Sequence, residues 1–162
     1  IRSRCQTISI RLPDRQQAGD WLEEKTGKGR SDVDDALQAA GGSPLRALSY
    51  LHSPDLDAFA QVREGLATLL VRPGAVSSIS GQLNDLDPDE LWRWLSMCVG
   101  DAVKSFVTGA PPEWLPPDIN LAPRELLQLQ QQADVNRQLS ATQVRGDLLL
   151  QSWLIRWAEQ VL

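Results

Sequence analysis

The sequence predicts an all-α fold that carries one short strand near the N-terminus. Along most of the chain, apolar residues recur at the three- and four-residue spacing of helices. Only residues 5–12 alternate and contain the β-branched Thr7, Ile8 and Ile10, which is typical of a strand, and Pro13 ends it. Because one strand cannot pair its own backbone groups, we expect its partners to lie upstream in a longer protein.

Eight helices are predicted after this strand. Their expected positions are about 14–26, 31–40, 44–51, 55–71, 75–84, 87–108, a segment starting at Pro123, and 144–161. The residues expected to cap or open helices are Asp14, Ser31 or Asp32, Ser43 with Pro44, Asp87 with Pro88, and Pro123. The signals expected to end helices are 27–30, Gly41 with Gly42, 72–74, and Gly109. The apolar residues expected to face a core are Ala18, Trp21, Leu22, Val33, Ala36, Leu37, Ala40, Phe59, Val62, Leu66, Leu69, Leu70, Leu91, Leu95, Cys98, Ala102, Phe106, Leu126, Leu129, Ala133, Leu150, Trp153, Leu154, Trp157 and Val161.

The charge distribution indicates two helical domains. Residues 1–52 carry eight Lys/Arg and seven Asp/Glu, a net charge of +1, and residues 53–162 carry eight and fourteen, a net charge of −6, which together give the −5 of the chain. The short polar segment 52–55 lies at this change. We therefore predict a strand remnant over 1–12, a three-helix domain over 13–52 and a domain of longer helices over 53–162. The acidic second domain repels a phosphate backbone, which disfavours direct nucleic-acid binding by it.

Few residues are suited to catalysis. Two cysteines and one histidine are too few for a disulfide framework or a cysteine zinc site. The sequence contains neither a G-x-x-x-x-G-K-[ST] phosphate loop nor a G-x-S-x-G elbow. We interpret His52 as a surface or capping residue and Cys98 as a core residue. Three acidic pairs are interpreted as helix-terminal or solvated charge: Glu23-Glu24, Asp34-Asp35 and Asp89-Glu90. No apolar run approaches the ~20 residues of a membrane span.

Six tryptophans are many for 162 residues: Trp21, Trp92, Trp94, Trp114, Trp153 and Trp157. Core packing is the favoured interpretation, and a protein interface is the alternative, because tryptophan is enriched at interface anchors. The last helix is apolar over a wide arc, which indicates burial on more than one side. This helix and the proline-rich loop 110–122 are the candidate interface elements.

The triplet Ser3-Arg4-Cys5, followed by a strand and a three-helix unit, resembles the Ser-Arg-Cys motif of AAA+ clamp-loader subunits. In that family the motif closes the ATPase core, ahead of a small helical lid domain and a helical collar domain. This order matches the prediction across essentially the whole chain. The segment 42–48 also resembles the lid segment that carries the sensor-2 arginine in ATP-hydrolysing members, where the pattern is Gly-Ser-Leu-Arg.

The segment 42–48 narrows the resemblance to one class of clamp-loader subunit. Leu45 stands at the arginine position, and Arg46 comes one residue late, about 100° further around a helix. In lacking this arginine, the chain resembles the delta prime class of bacterial DNA polymerase III clamp-loader subunits, which does not hydrolyse ATP. Residues 136–139 and 147–150 also resemble that class.

The resemblance implies a role for the N-terminal motif. Arg4, with Ser3 and Cys5 as motif neighbours, would be a trans-acting arginine finger that reaches the ATP of a neighbouring subunit, and Arg2 is a weaker candidate for a second contact. The chain itself would then hold no cofactor or metal. It would be an accessory, non-ATP-hydrolysing subunit of a DNA-directed DNA polymerase holoenzyme and not an enzyme by itself.

The resemblance also implies partners. The collar would bind the ATPase (gamma/tau) and delta subunits of the loader. The sliding clamp and primed DNA would be reached only as part of the whole complex, which works in the bacterial cytoplasm and not at a membrane.

Three alternatives remain open. An ATPase subunit of the same loader is disfavoured by Leu45. An unrelated helical adaptor for protein interactions is disfavoured by the strand at 5–12, which a self-sufficient helical module does not need. A small helical enzyme is disfavoured because the sequence lacks clusters of histidine and cysteine.

Overall fold

The computed structural model describes residues 13–117, 119 and 121–160, and most of these form helices. The helices are α1 (Arg15–Thr26), α2 (Arg30–Ala39), α3 (Pro44–Tyr50), α4 (Asp55–Val71), α5 (Val76–Leu83), α6 (Pro88–Thr108), α7 (Pro123–Ser140) and α8 (Gly146–Ala158), with a 3-10 turn at Pro73–Ala75. The all-α prediction is thus confirmed for this part of the chain. The predicted strand at 5–12 lies outside the described residues.

The described chain divides into two compact units. The first contains residues 13–56 and the second contains residues 57–160. The division falls between Leu56 and Asp57, in the first turn of α4. The sequence analysis puts the boundary a few residues earlier, at the polar segment 52–55.

The first unit is a three-helix unit whose first helix has the predicted cap. The Asp14 carboxylate accepts a hydrogen bond from the Gln17 backbone N–H (2.8 Å), and the Gln17 side chain accepts one from the Asp14 N–H (3.3 Å). This reciprocal capping box satisfies two N–H groups that a helix start leaves without partners. Gly27 ends α1 at φ 67°, a conformation that favours glycine. The apolar residues buried in this unit are Ala18, Leu22, Val33, Ala36, Leu37, Ala39, Ala40, Ala47, Tyr50 and Leu51.

The start of α2 differs from the prediction. Ser31 and Asp32 were expected as caps, but the helix begins at Arg30 with Gly29 as N-cap, and no side chain caps it. The Arg30 guanidinium reaches back to α1, where its Nη1 lies 2.7 Å from Asp20 Oδ1. The helix therefore starts one or two residues before the cap signal at 31–32, and its first residue contacts α1.

The core of the second unit is organised by tryptophans on α8. The Trp153 indole N–H donates to the Leu129 carbonyl of α7 (3.0 Å), and the Trp157 indole N–H donates to the Leu66 carbonyl of α4 (2.9 Å). The two indole rings stack with centroids 6.1 Å apart and planes 3° apart. Both side chains are fully buried. Core packing is therefore confirmed for these two tryptophans, and Trp92 and Trp94 are equally enclosed.

Helix α6 is the longest helix and packs extensively against α7. Asp87 caps it by accepting from the Glu90 N–H (3.0 Å), and Gly109 ends it at φ 68°, both as predicted. The expectation that Phe106 faces the core is wrong, because its side chain is 45% exposed. The last buried residue of α6 is Ala102. Phe106 continues the spacing of the apolar residues, but it is not enclosed by other parts of the described chain.

Helix α8 begins later than the sequence predicts. It starts at Gly146 and not at residue 144, and the predicted core residue Val161 lies outside the described part of the chain. Trp21 was also expected inside but is only half-buried. In the described ranges, no helix combines the length and apolar character that a membrane crossing requires.

Candidate functional site

The N-terminal motif is the site that the sequence singles out, and it lies outside the described residues. This applies to Arg4, to its motif neighbours Ser3 and Cys5, and to Arg2. Their assignment therefore stays a prediction from the sequence.

The segment 42–48, which includes the start of α3, lies among the described residues. Gly41 and Gly42 both adopt positive φ, at 62° and 82°, so the chain makes a tight turn after α2. Ser43 is the N-cap of α3 and Pro44 is its first residue, as predicted, although the Ser43 hydroxyl makes no capping hydrogen bond. Leu45 follows with 74% of its surface exposed. Residue 45, which the resemblance matches to the sensor-2 arginine, thus presents a hydrocarbon side chain to solvent.

Arg46, the residue after Leu45, points in a different direction from it. It lies next to Leu45 in the same first turn of α3, where consecutive residues are separated by about 100° around the helix axis. Its side chain is half-buried, whereas that of Leu45 is exposed, which agrees with different directions for the two. The Leu45 side chain has no hydrogen-bond donor that could bind a phosphate oxygen.

The acidic pairs have structural partners. Arg30 connects Asp20 with Asp34, whose Oδ2 lies 3.6 Å from the Arg30 Nε. The Arg137 guanidinium of α7 donates two hydrogen bonds to the Asp89 carboxylate, from Nε to Oδ1 (2.7 Å) and from Nη2 to Oδ2 (2.8 Å). These bidentate bonds raise the pKa of the Arg137 guanidinium above its ordinary value. Asp89 and Glu90 lie in the first turn of α6, in agreement with the helix-terminal interpretation, while the ion pairs of Asp34 and Asp89 with arginines were not predicted.

His52 and Cys98 are placed as the sequence predicts. The His52 ring is exposed, and its Nδ1 lies 2.8 Å from the Leu48 carbonyl, where it can cap the end of α3. Cys98 is buried on α6, and this burial raises the pKa of its thiol to about 12, although the nearby Arg63 guanidinium favours the thiolate. A thiol that stays protonated is a poor nucleophile. Among the described residues, no group of three or more His, Cys, Asp or Glu could hold a metal ion.

The proline-rich loop after α6 is anchored on the second unit by aromatic contact. The Trp114 ring lies 6.3 Å from that of Trp157, and Leu121 is buried. The Trp114 indole nitrogen is enclosed without a hydrogen-bond partner among the described residues. Trp114 therefore contributes to packing inside its own unit, and an interface role for the loop 110–122 stays a prediction.

Two surface concavities of the second unit were missed at the sequence level. A cleft of about 470 Å³ lies between α4 and α5, where Glu64 and Arg72 are among the polar residues that line it. A groove of about 360 Å³ is lined by four residues of α7 and by Arg156 of α8. Neither leaves a sequence signal, because isolated polar residues on helix faces look the same whether or not two helices place them around a hollow.

Comparison with protein-family models gives no match for this chain, and comparison with curated proteins gives none either.

Proposed function

We propose that this chain is the lid and collar portion of a clamp-loader subunit of the delta prime class. The observation that carries the proposal is the lid segment after α2. Its Gly-Ser sequence is followed by Pro44 and an exposed Leu45, so the matching arginine is absent where an ATP-hydrolysing subunit would need it. The N-terminal Ser3-Arg4-Cys5 triplet and the order of a three-helix unit before longer helices support the same assignment.

In this proposal, one subunit binds the ATP and a different subunit supplies the arginine that acts on it. The neighbouring subunit binds ATP, and Arg4 supplies a guanidinium in trans. The charge that develops on the transferring γ-phosphoryl group is spread over its equatorial oxygens, and a planar guanidinium can donate two hydrogen bonds to them. Leu45 cannot donate one, so this subunit offers the arginine without running an ATP cycle of its own.

The acidic helical second unit takes the role of the collar. An assembly domain needs apolar helix faces beyond those in its own core. The unit has such residues: Leu127, Val135, Leu148 and Ile155 are large, apolar and substantially exposed on α7 and α8. The proposed collar partners are the ATPase and delta subunits of the loader, which act in the bacterial cytoplasm. The sliding clamp and primed DNA are contacted by the assembled complex.

The proposal is tested by replacing Arg4 with alanine in the full-length subunit and assembling the complete loader. An arginine finger contributes about 10³-fold or more to phosphoryl transfer at the site it serves. We therefore expect DNA-stimulated ATP hydrolysis by the complex to fall, while its mass by light scattering stays that of the wild type. Lys28→Ala, which removes an exposed cation from the turn after α1, is the matched control and should change neither quantity. An assembled Arg4→Ala complex with the wild-type hydrolysis rate would refute the finger assignment.

A further inference from the structure

The groove between α7 and α8 combines hydrogen-bonding and apolar groups. Gln128, Gln131, Gln132 and Val135 line it from α7, and Arg156 lines it from α8. Gln132 donates to Asn136 (2.9 Å). The amides of Gln128 and Gln131 have no hydrogen bond to a described residue, so both can bond to a molecule that enters the groove.

Exposed apolar side chains continue this surface. Leu127 and Val135 are 54% and 42% exposed, and with Gln131 between them they follow at intervals of four residues along one face of α7. Ile155, next to Arg156 on α8, is 44% exposed. An exposed apolar residue in the groove lining, with a second one on the same face of α7 and amides beside them, is typical of a protein interface.

The charge of the groove is opposite to that of its domain. Arg156 is the charged residue of the lining, and no carboxylate of the described residues lies within 4.0 Å of its guanidinium. Arg124, one turn before Gln128 on α7, likewise has no such partner. Residues 53–162 nevertheless carry a net charge of −6. In an acidic domain, a cation that no carboxylate of the described residues pairs with favours a binding partner that brings a carboxylate.

We infer that this groove is the docking site for an acidic amphipathic helix of a neighbouring loader subunit. The inference rests on the proposed function and names the surface through which the collar binds. Two packed helices present ridges and grooves into which a third helix fits, with apolar anchors at helical spacing. The apolar anchors of the incoming helix contact Leu127 and Val135, and one of its carboxylates pairs with Arg156.

A second copy of this chain is the wrong occupant. A two-fold dimer through this groove would bring the same surface from both copies together, and with it the arginines at 124 and 156. Like charges that face each other across an interface oppose binding. A two-fold dimer therefore does not supply the acidic surface that the groove needs, and we assign that surface to a different polypeptide.

The test measures the affinity of the complete chain for the loader's ATPase and delta subunits by titration calorimetry. Arg156→Glu reverses the groove charge and Val135→Asp adds a charge to its apolar face; both side chains are exposed, so both variants should fold. Arg72→Glu, an equal charge reversal on an exposed residue of the α4–α5 cleft, is the control. We expect about tenfold or greater weakening from each groove variant and about wild-type affinity for the control.

The outcomes separate the two proposals. If the wild type binds and the groove variants bind as tightly as the control, the groove assignment is overturned and the clamp-loader assignment stands. If the folded wild type binds neither subunit, the proposed function falls and the groove assignment falls with it. Self-association of the chain that Arg156→Glu abolishes would show that a second copy is the occupant and overturn the inference.

Discussion

Replacing Trp157 by phenylalanine should destabilise the second unit strongly. The indole is fully buried, stacks on Trp153 with a centroid distance of 6.1 Å, and donates a 2.9 Å hydrogen bond to the Leu66 carbonyl of α4. The substitution removes the hydrogen bond and part of the ring, and it leaves space that the packed surroundings only partly fill. The contact that joins α8 to α4 is lost without adding a polar group.

The magnitude follows from these contacts. A lost hydrogen bond costs about 1 kcal/mol. The reduced ring contact and the remaining cavity add about 1–2 kcal/mol, because truncating a buried tryptophan fully to alanine costs about 3–5 kcal/mol. We therefore expect the free energy of unfolding to fall by about 2–3 kcal/mol.

Urea unfolding of the complete chain, followed by far-UV circular dichroism, measures this change. Trp114→Phe is the matched control in the same unit. Its half-buried indole also contacts Trp157, but the indole nitrogen has no hydrogen-bond partner among the described residues, so the loss should stay below about 1 kcal/mol. Equal losses in the two variants would refute the importance of the hydrogen bond from α8 to α4.

Two further predictions concern single groups. Burial raises the pKa of Cys98 to about 12, whereas a thiol in an unfolded chain titrates near ~8.5. Between these values the unfolded state binds fewer protons, so stability is complete below ~8.5 and falls by about 1.4 kcal/mol per pH unit above it. In urea unfolding at about pH 8 and about pH 10, Cys98→Ala should lose less stability than the wild type, and an equal loss would contradict a buried, protonated thiol. Asp14→Ala removes the cap of α1 and should cost about 1 kcal/mol, whereas Asp14→Asn should retain most of this energy; equal melting temperatures for Asp14→Ala and the wild type would contradict it.

Helix periodicity and cap chemistry predicted most of the fold because both are local. Asp14, Asp87 and Gly109 act as caps by forming hydrogen bonds or turns within a few residues of themselves. The sequence therefore contains everything that their function needs. The buried stripe of α4 was predicted for the same reason, since it repeats at helical spacing.

The errors arise where distant residues decide the outcome. Phe106 continues the apolar register of α6, but periodicity gives the direction of a side chain and not whether another helix covers it. Helix α2 starts at Arg30, whose guanidinium pairs with Asp20 on α1, and a contact between two helices leaves no signal in the local cap pattern.

The candidate sites also differ in whether neighbouring residues alone are enough to predict them. The sequence alone shows that residue 45 is a leucine and not an arginine. The structure adds that the Leu45 side chain is exposed to solvent. The α7–α8 groove could not be predicted. Val135 and Arg156 are 21 positions apart in the sequence, and only the packing of two helices brings them to one surface.

We propose that this chain assembles into a clamp loader through its second unit. Light scattering of the chain mixed with the loader's ATPase and delta subunits measures this assembly. We expect one stable mixed complex whose mass contains all three components. Separate elution of each folded component, under conditions where the ATPase and delta subunits associate with one another, would contradict it and favour an unrelated helical adaptor.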